Sequence, residues 1–157
     1  MLGIAALTLS LPLETLKPGT HLTTEGTRSG HLYVLESGRL RVSRRGVTLA
    51  SIAEPGAIVG EMAVLLGTPH SATVIAETEA KVRVIANAIE MLGQNAEFAL
   101  HIATVACARL NTTSALLVEM QNQAEDQPRE KALMQRLLGA LSAAPLFTRN
   151  TGRIDHE

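Results

Sequence analysis

The sequence is poor in aromatic residues. Tyr33, Phe98 and Phe147 are the only ones in 157 residues, and tryptophan is absent. Binding single-stranded nucleic acid on stacking platforms takes more rings than that, so this function is disfavoured. Cysteine is scarcer still. Cys107 stands alone, which excludes an internal disulfide and a thiolate zinc cluster. A lone thiol fits a reducing compartment, and a cytoplasmic location is expected. Neither charge is in excess: 14 basic and 15 acidic residues leave a formal net charge of −1. General polyanion binders are basic, so non-specific nucleic-acid binding is not indicated. Long hydrophobic runs are missing as well. The first 16 residues are rich in Leu and Ala, but Pro12 and Glu14 interrupt them well short of the ~20 apolar residues of a membrane span. Their first cation, Lys17, comes too late for a signal-peptide n-region. The segment reads as a core-facing start. What is present is a chain 46% hydrophobic and 18% charged, able to bury a core as one domain with a short appendage.

The chain changes character once. Residues 13–86 are rich in Gly, Thr, Val and Ile in short alternating stretches. His31-Leu32-Tyr33-Val34-Leu35 reads as a strand, Ser37-Gly38 as a turn, and Arg39-Leu40-Arg41-Val42-Ser43 as a half-buried strand. Arg44-Arg45-Gly46 makes a hairpin turn into a return strand over 47–52, and Glu54-Pro55-Gly56 turns again. Two further strands are expected at 73–76 and 81–85, split by Glu77-Thr78-Glu79. Short strands at this spacing indicate an antiparallel sandwich or barrel. From Asn87 the period becomes helical. Asn87 can cap a short helix at 88–92 that Gly93 ends, and Asn95 can cap a long one over 96–124. Pro128 suits a first helical position before a last helix at 129–142, and a loose tail follows from 148. Leu100, Ala103, Cys107, Leu110, Ser114 and Leu117 recur at steps of three and four. They form the seam of a helix pair, hence of a homodimer, or the face by which the helix packs on its own barrel.

The stretch that carries chemistry runs from Gly56 to Val74. A strand ends at Gly60, a short helix of about one and a half turns covers 61–66, Gly67-Thr68-Pro69 turns, and His70-Ser71 enters another strand. Gly60 lets a ligand approach the backbone, and the amides opening the short helix suit a phosphate. Glu61 would repel that phosphate but can accept hydrogen bonds from sugar hydroxyls, while His70 and Ser71 can donate to phosphate oxygens. The competing reading is an ordinary helical turn of a barrel with Glu61 solvated.

Gly60-Glu61-Met62-Ala63 through His70-Ser71-Ala72-Thr73-Val74 resembles the phosphate-binding cassette of cyclic nucleotide-binding domains. The likeness extends upstream through Gly19, Gly26, Leu32-Tyr33-Val34-Leu35, Ser37-Gly38 and Gly56. Downstream, Ala108-Arg109-Leu110-Asn111-Thr112-Thr113-Ser114 is similar to the ligand-facing C-helix of bacterial regulators of the catabolite-activator type. The resemblance implies an α+β, mostly β fold: an antiparallel β-roll or jelly-roll barrel over 1–124, completed by the long helix, with a short helical extension over 125–157. It also implies that the ligand is a cyclic nucleotide of the cAMP or cGMP type. The backbone of Gly60, Glu61 and Ala63 would hold the cyclic phosphate, with Ser71 donating to it and Met62 and Ala72 completing the cassette. Glu61 would bind the ribose 2′-hydroxyl. Thr113 and Ser114 would face the base, one of them in reach of a second subunit's pocket, and Arg109 would lie near the ligand. As plain residues, Thr113 and Ser114 read equally as hydroxyls of the helix seam.

One departure stands out. The family places an arginine before the Ser-Ala or Thr-Ala pair, and here that residue is His70. Arginine is always charged and bidentate, whereas histidine is mostly neutral near pH 7. Losing that contact costs about 2–3 kcal/mol, roughly a 30- to 150-fold loss of affinity. A weakened, pH-sensitive nucleotide site is expected, or a domain of the same fold that serves as an interaction module without nucleotide.

Arg39, Arg41, Arg44 and Arg45 gather on one hairpin, as an anionic partner site or as a solvated loop. His21, His31, His101 and His156 show no ligand spacing, so no metal site is expected. No serine or cysteine has an arranged base, so an enzyme is not expected either. A transcription regulator needs a DNA-reading domain after the long helix. The 33 residues from 125 on, with five bases (Arg129, Lys131, Arg136, Arg149, Arg153) and five acids (Glu125, Asp126, Glu130, Asp155, Glu157), are too few and too neutral for one. The sequence therefore indicates a regulatory sensor whose output is its own association or a separate protein partner.

Overall fold

A computed structural model describes residues 7–123 and 128–142. The chain divides into two compact units, Met1–Ala106 and Cys107–Glu157. The first holds two four-stranded antiparallel sheets. One has the order β1 (Leu13–Leu16), β8 (Ala80–Ile85), β3 (Leu32–Ser37), β6 (Ile58–Val59), and the other β2 (His21–Thr23), β7 (Thr73–Ala76), β4 (Leu40–Arg44), β5 (Val47–Ile52). With the helices that follow, this is the expected mostly β roll.

Alternation along the strands explains the layering. In β3, Leu32 and Val34 face one way and Tyr33 and Leu35 the other. Leu32 and Val34 join Ile58 and Ile85 in a core shared with the helices, including Val64, Leu92, Phe98 and Ile102. Leu35 joins Val59 and Val82, together with Leu40, Val74 and Ala76 of the second sheet, in a core between the sheets. The first sheet is thus covered on both faces. Arg83 on β8 ties its edge down, pairing with Glu36 and donating to the carbonyls of Leu9 and Leu11. The opening segment is only partly core-facing. Leu7 and Leu11 pack against the core, while Leu9 and Leu13 are exposed.

The second sheet ends at β5, an edge strand paired with β4 alone and exposed along all but its last residue. Arg45 and Gly46 both take positive φ, 50° and 77°, the two-residue turn that matches the twist of a hairpin. The register shifts by one residue between Val42 and Ser43, which marks a bulge.

The helices are α1 (Glu61–Leu66), α2 (Ala88–Gln94), α3 (Ala96–Gln123) and α4 (Pro128–Ser142). Asn95 caps α3 as expected, its Oδ1 accepting from the Phe98 amide at 2.9 Å. Asn87 does not cap α2 with its side chain. It takes a left-handed conformation, φ 51°, and turns the chain with its backbone. Gly93 does not end α2 either, since the helix runs on to Gln94. The tail from 148 lies outside the described residues.

Candidate functional site

The site is built where β6 runs into α1. β6 pairs with β3, Tyr33 opposite Val59, so Gly60 emerges beside the chain that leads into β3. Its φ is 96°, and a Cβ there would stand 2.8 Å from the His31 carbonyl oxygen. Both the conformation and the space require glycine. Gly60 gives α1 no side-chain cap, and the first amides of a helix have no acceptor within it. Gly67, also left-handed, closes α1 by donating to the Ala63 carbonyl, and Thr68 donates to the same oxygen.

Glu61 is 5% exposed, which excludes the reading of it as a solvated acid on an ordinary turn. An apolar barrel does not bury a carboxylate without a polar task for it. Met62, by contrast, is half exposed, as are Leu65 and Leu66, so its side chain lies on the outer face of α1. Ala63 is buried.

His70 is as buried as Glu61, at 5% exposed. Its backbone is fastened to the segment before β3, the amide donating to the Thr27 carbonyl at 2.8 Å and the carbonyl accepting from the Gly26 amide at 2.9 Å. Its Nε2 lies 2.8 Å from the Ser29 hydroxyl. Burial, and after it the charge of His31, lower its pKa below the ordinary imidazole value, so the ring is held neutral near pH 7. Ser71 and Ala72 are half-buried. The Ala72 carbonyl accepts from Thr23 Oγ1 at 3.1 Å, and Thr73 Oγ1 accepts from the Glu25 amide. Gly60, Glu61, Ala63, His70 and Ser71 thus belong to one strand–helix–turn–strand unit, in which the His70 ring comes back near Gly60: His70 Cε1 is 3.8 Å from the point where a Gly60 Cβ would stand.

Three residues not singled out for the site from the sequence surround it. Ser29 touches His70, and the Tyr33 side chain hydrogen-bonds Ser29. Burial raises the Tyr33 pKa, with Glu14 adding to it and the Ser29 bond opposing. His31 stacks at a tilt near Tyr33, 6.3 Å between centroids. They reach the site through strand pairing across more than 25 residues, which no local pattern reports. Beside them lies a cleft of about 690 Å³, whose lining includes Arg28, Ser29, Ala63, Thr68, Asn87 and Glu90. Arg28 spans its rim, donating to the Gly67 carbonyl.

Arg109, Thr113 and Ser114 lie on α3 in the second unit. Arg109 and Thr113 are exposed, and Ser114 is half-buried. The Thr113 hydroxyl donates to the Arg109 carbonyl one turn back at 2.9 Å, and Thr112 does the same to Ala108. Among the described residues no group of three or more His, Cys, Asp or Glu could hold a metal, and no helix is long and apolar enough to cross a membrane.

Residues 13–89 match the family model of the cyclic nucleotide-binding domain. This segment belongs to that family. The cyclic nucleotide-binding domain is a regulatory, non-catalytic unit, and it takes in β1 through the start of α2 with the whole Gly60–Ser71 cassette. A cAMP-dependent protein kinase regulatory subunit of Yarrowia lipolytica is 35% identical over 74 residues, 46% of this chain and 20% of its own length. A cGMP-dependent protein kinase of Toxoplasma gondii is 38% identical over 71 residues, 45% of this chain and 7% of its own. The chain therefore spans a fifth or less of these relatives. Among solved structures, the N-terminal domain of a transcriptional regulator from Streptomyces coelicolor A3(2) is similar at 29% identity and a TM-score of 0.53. That match covers 69% of this chain and 82% of that one.

Proposed function

We propose that the chain is a sensor module that binds a cyclic nucleotide of the cAMP or cGMP type and reports it through α3. The observation that carries this is the cassette: a glycine with no possible replacement, Gly60, opening a short helix at its positive end, with Glu61 and His70 both buried beside it. On this reading the α1 amides and Ser71 take the cyclic phosphate and Glu61 accepts from the ribose 2′-hydroxyl, with Arg109, Thr113 and Ser114 kept as the candidates for contacting the base. The relatives named for cAMP and cGMP support the ligand class. Two copies pair along the exposed seam of α3, where Leu100 and Leu110 stand more than half exposed, and ligand shifts that pairing by favouring one helix position. On this reading residues 1–124 act as the sensor and 125–157 as a short extension.

Calorimetric titration tests the ligand. Wild type should bind cAMP or cGMP with micromolar-range affinity, weakened about 30- to 150-fold relative to its His70→Arg variant. Gly60→Ala, which forces a side chain against the His31 carbonyl, should abolish the heat. No heat from wild type or His70→Arg at millimolar nucleotide would instead favour a second reading, an interaction module of the same fold. The specific observation behind that reading is that the Ser29 hydroxyl already engages His70.

A further inference from the structure

A second imidazole accompanies His70. The His31 carbonyl and the His70 ring both border the space that a side chain on Gly60, the residue before α1, would fill. His31 Nδ1 is buried without a hydrogen-bond partner among the described residues, although buried ring nitrogens are as a rule paired. His70 is held through Nε2 by the Ser29 hydroxyl, which also accepts from the His31 amide at 3.3 Å and bonds Tyr33. Ser29 thus joins the backbone of His31 to the ring of His70 beside Gly60, and the His31 ring carries a buried nitrogen with no partner among the described residues.

We infer that His31 and His70 act as a pair that holds the anionic group of the ligand, with Ser29 as the positioning residue that fixes the His70 ring. The inference rests on the cyclic nucleotide reading above, and it names the residues that do the work of the absent guanidinium. A guanidinium brings a permanent charge. An imidazole brings charge only when protonated, and in the free protein burial and the neighbouring His31 disfavour the charged form of His70. An anion held by both rings offsets that, so binding draws protons from solution. The other ionisable groups nearby are few. Glu61 follows Gly60 and is buried, Glu14 acts on Tyr33, and Arg28 is tied to the Gly67 carbonyl. Residues 26 and 27 meet His70 with backbone alone.

The test is the pH profile of binding. Wild type should bind cAMP or cGMP about tenfold or more tightly at pH 6 than at pH 8. His31→Gln should keep measurable binding and reduce that ratio to about threefold or less. Ser29→Ala should shrink it in the same direction, and His70→Arg should bind tightly at both values. Binding by His31→Gln with the wild-type ratio overturns the pair while leaving the nucleotide reading intact. No binding by wild type or His70→Arg overturns both, through the reading. Imidazole Cε1–H titration by NMR needs no variant. Saturating cAMP should raise the midpoints of His31 and His70 together, and a rise at His70 alone overturns the pair.

Discussion

The two ends of α3 differ in what covers them. At its start Phe98 and Ile102 are fully buried against the first sheet and α2, and Ala99 and Val105 pack beside them. Past Ala106 the same helix leaves Leu110, Leu116 and Met120 half or more exposed. Residue type does not set this contrast, because apolar side chains continue throughout. What changes is the cover. The first turns belong to the unit that contains the sheets, and the later ones to the second unit. Over those later turns Thr112 and Thr113 satisfy their hydroxyls on carbonyls one turn back, so the helix answers these polar groups locally while its apolar side chains stay exposed.

The largest expected effect tests that contrast directly. Phe98→Ala should destabilise the protein by about 3–5 kcal/mol through lost burial and the cavity left behind. Leu116→Ala should stay within about 0.5 kcal/mol. Urea unfolding of both gives the answer, and equal losses would mean that Leu116 is covered in solution. Next in size is association. Leu110→Glu should shift sedimentation from dimer to monomer at tens of micromolar protein while leaving the melting temperature of the roll unchanged. A wild type that sediments as a monomer removes the pairing altogether. The smallest effect is in pH. His70 is held below its ordinary pKa of about 6.5, so the unfolded chain takes up the proton before the folded one does. The stability it contributes is complete above that value and declines as the pH falls from there toward the lower folded-state value. Urea midpoints at pH 7.5 and 5.5 should show the decline, and His70→Asn should flatten it. An undiminished decline in the variant would assign it to other groups.

Much of this was legible in the sequence, for physical reasons that differ by element. The return strand at 47–52 and the strand at 73–76 are legible to the residue, because a two-residue turn and a polar break bracket them. β1 and β2 carry no such signal. β1 buries only Leu16, its last residue, and β2 is three residues long. Neither shows the alternation that marks a strand. The cassette was readable because Gly60, Glu61 and His70 lie within one local stretch. Ser29, His31 and Tyr33 were not, since only the pairing of β3 with β6 brings them there. One signal was available. His31 stands immediately before a strand whose Tyr33 is the only tyrosine in the chain, an uncommon grouping of polar rings at a strand entrance.

The β4–β5 hairpin has a consequence for solubility. A strand with one unpaired edge and with Val47 and Leu49 about 60% exposed is a template on which another chain can add. The bulge bends that edge, and Arg39, Arg41, Arg44 and Arg45 make two approaching copies repel before their backbones can register. The obstacle to strand addition at this corner is therefore ionic. Polyanions that neutralise the hairpin, or high salt that screens it, remove the guard without touching the fold.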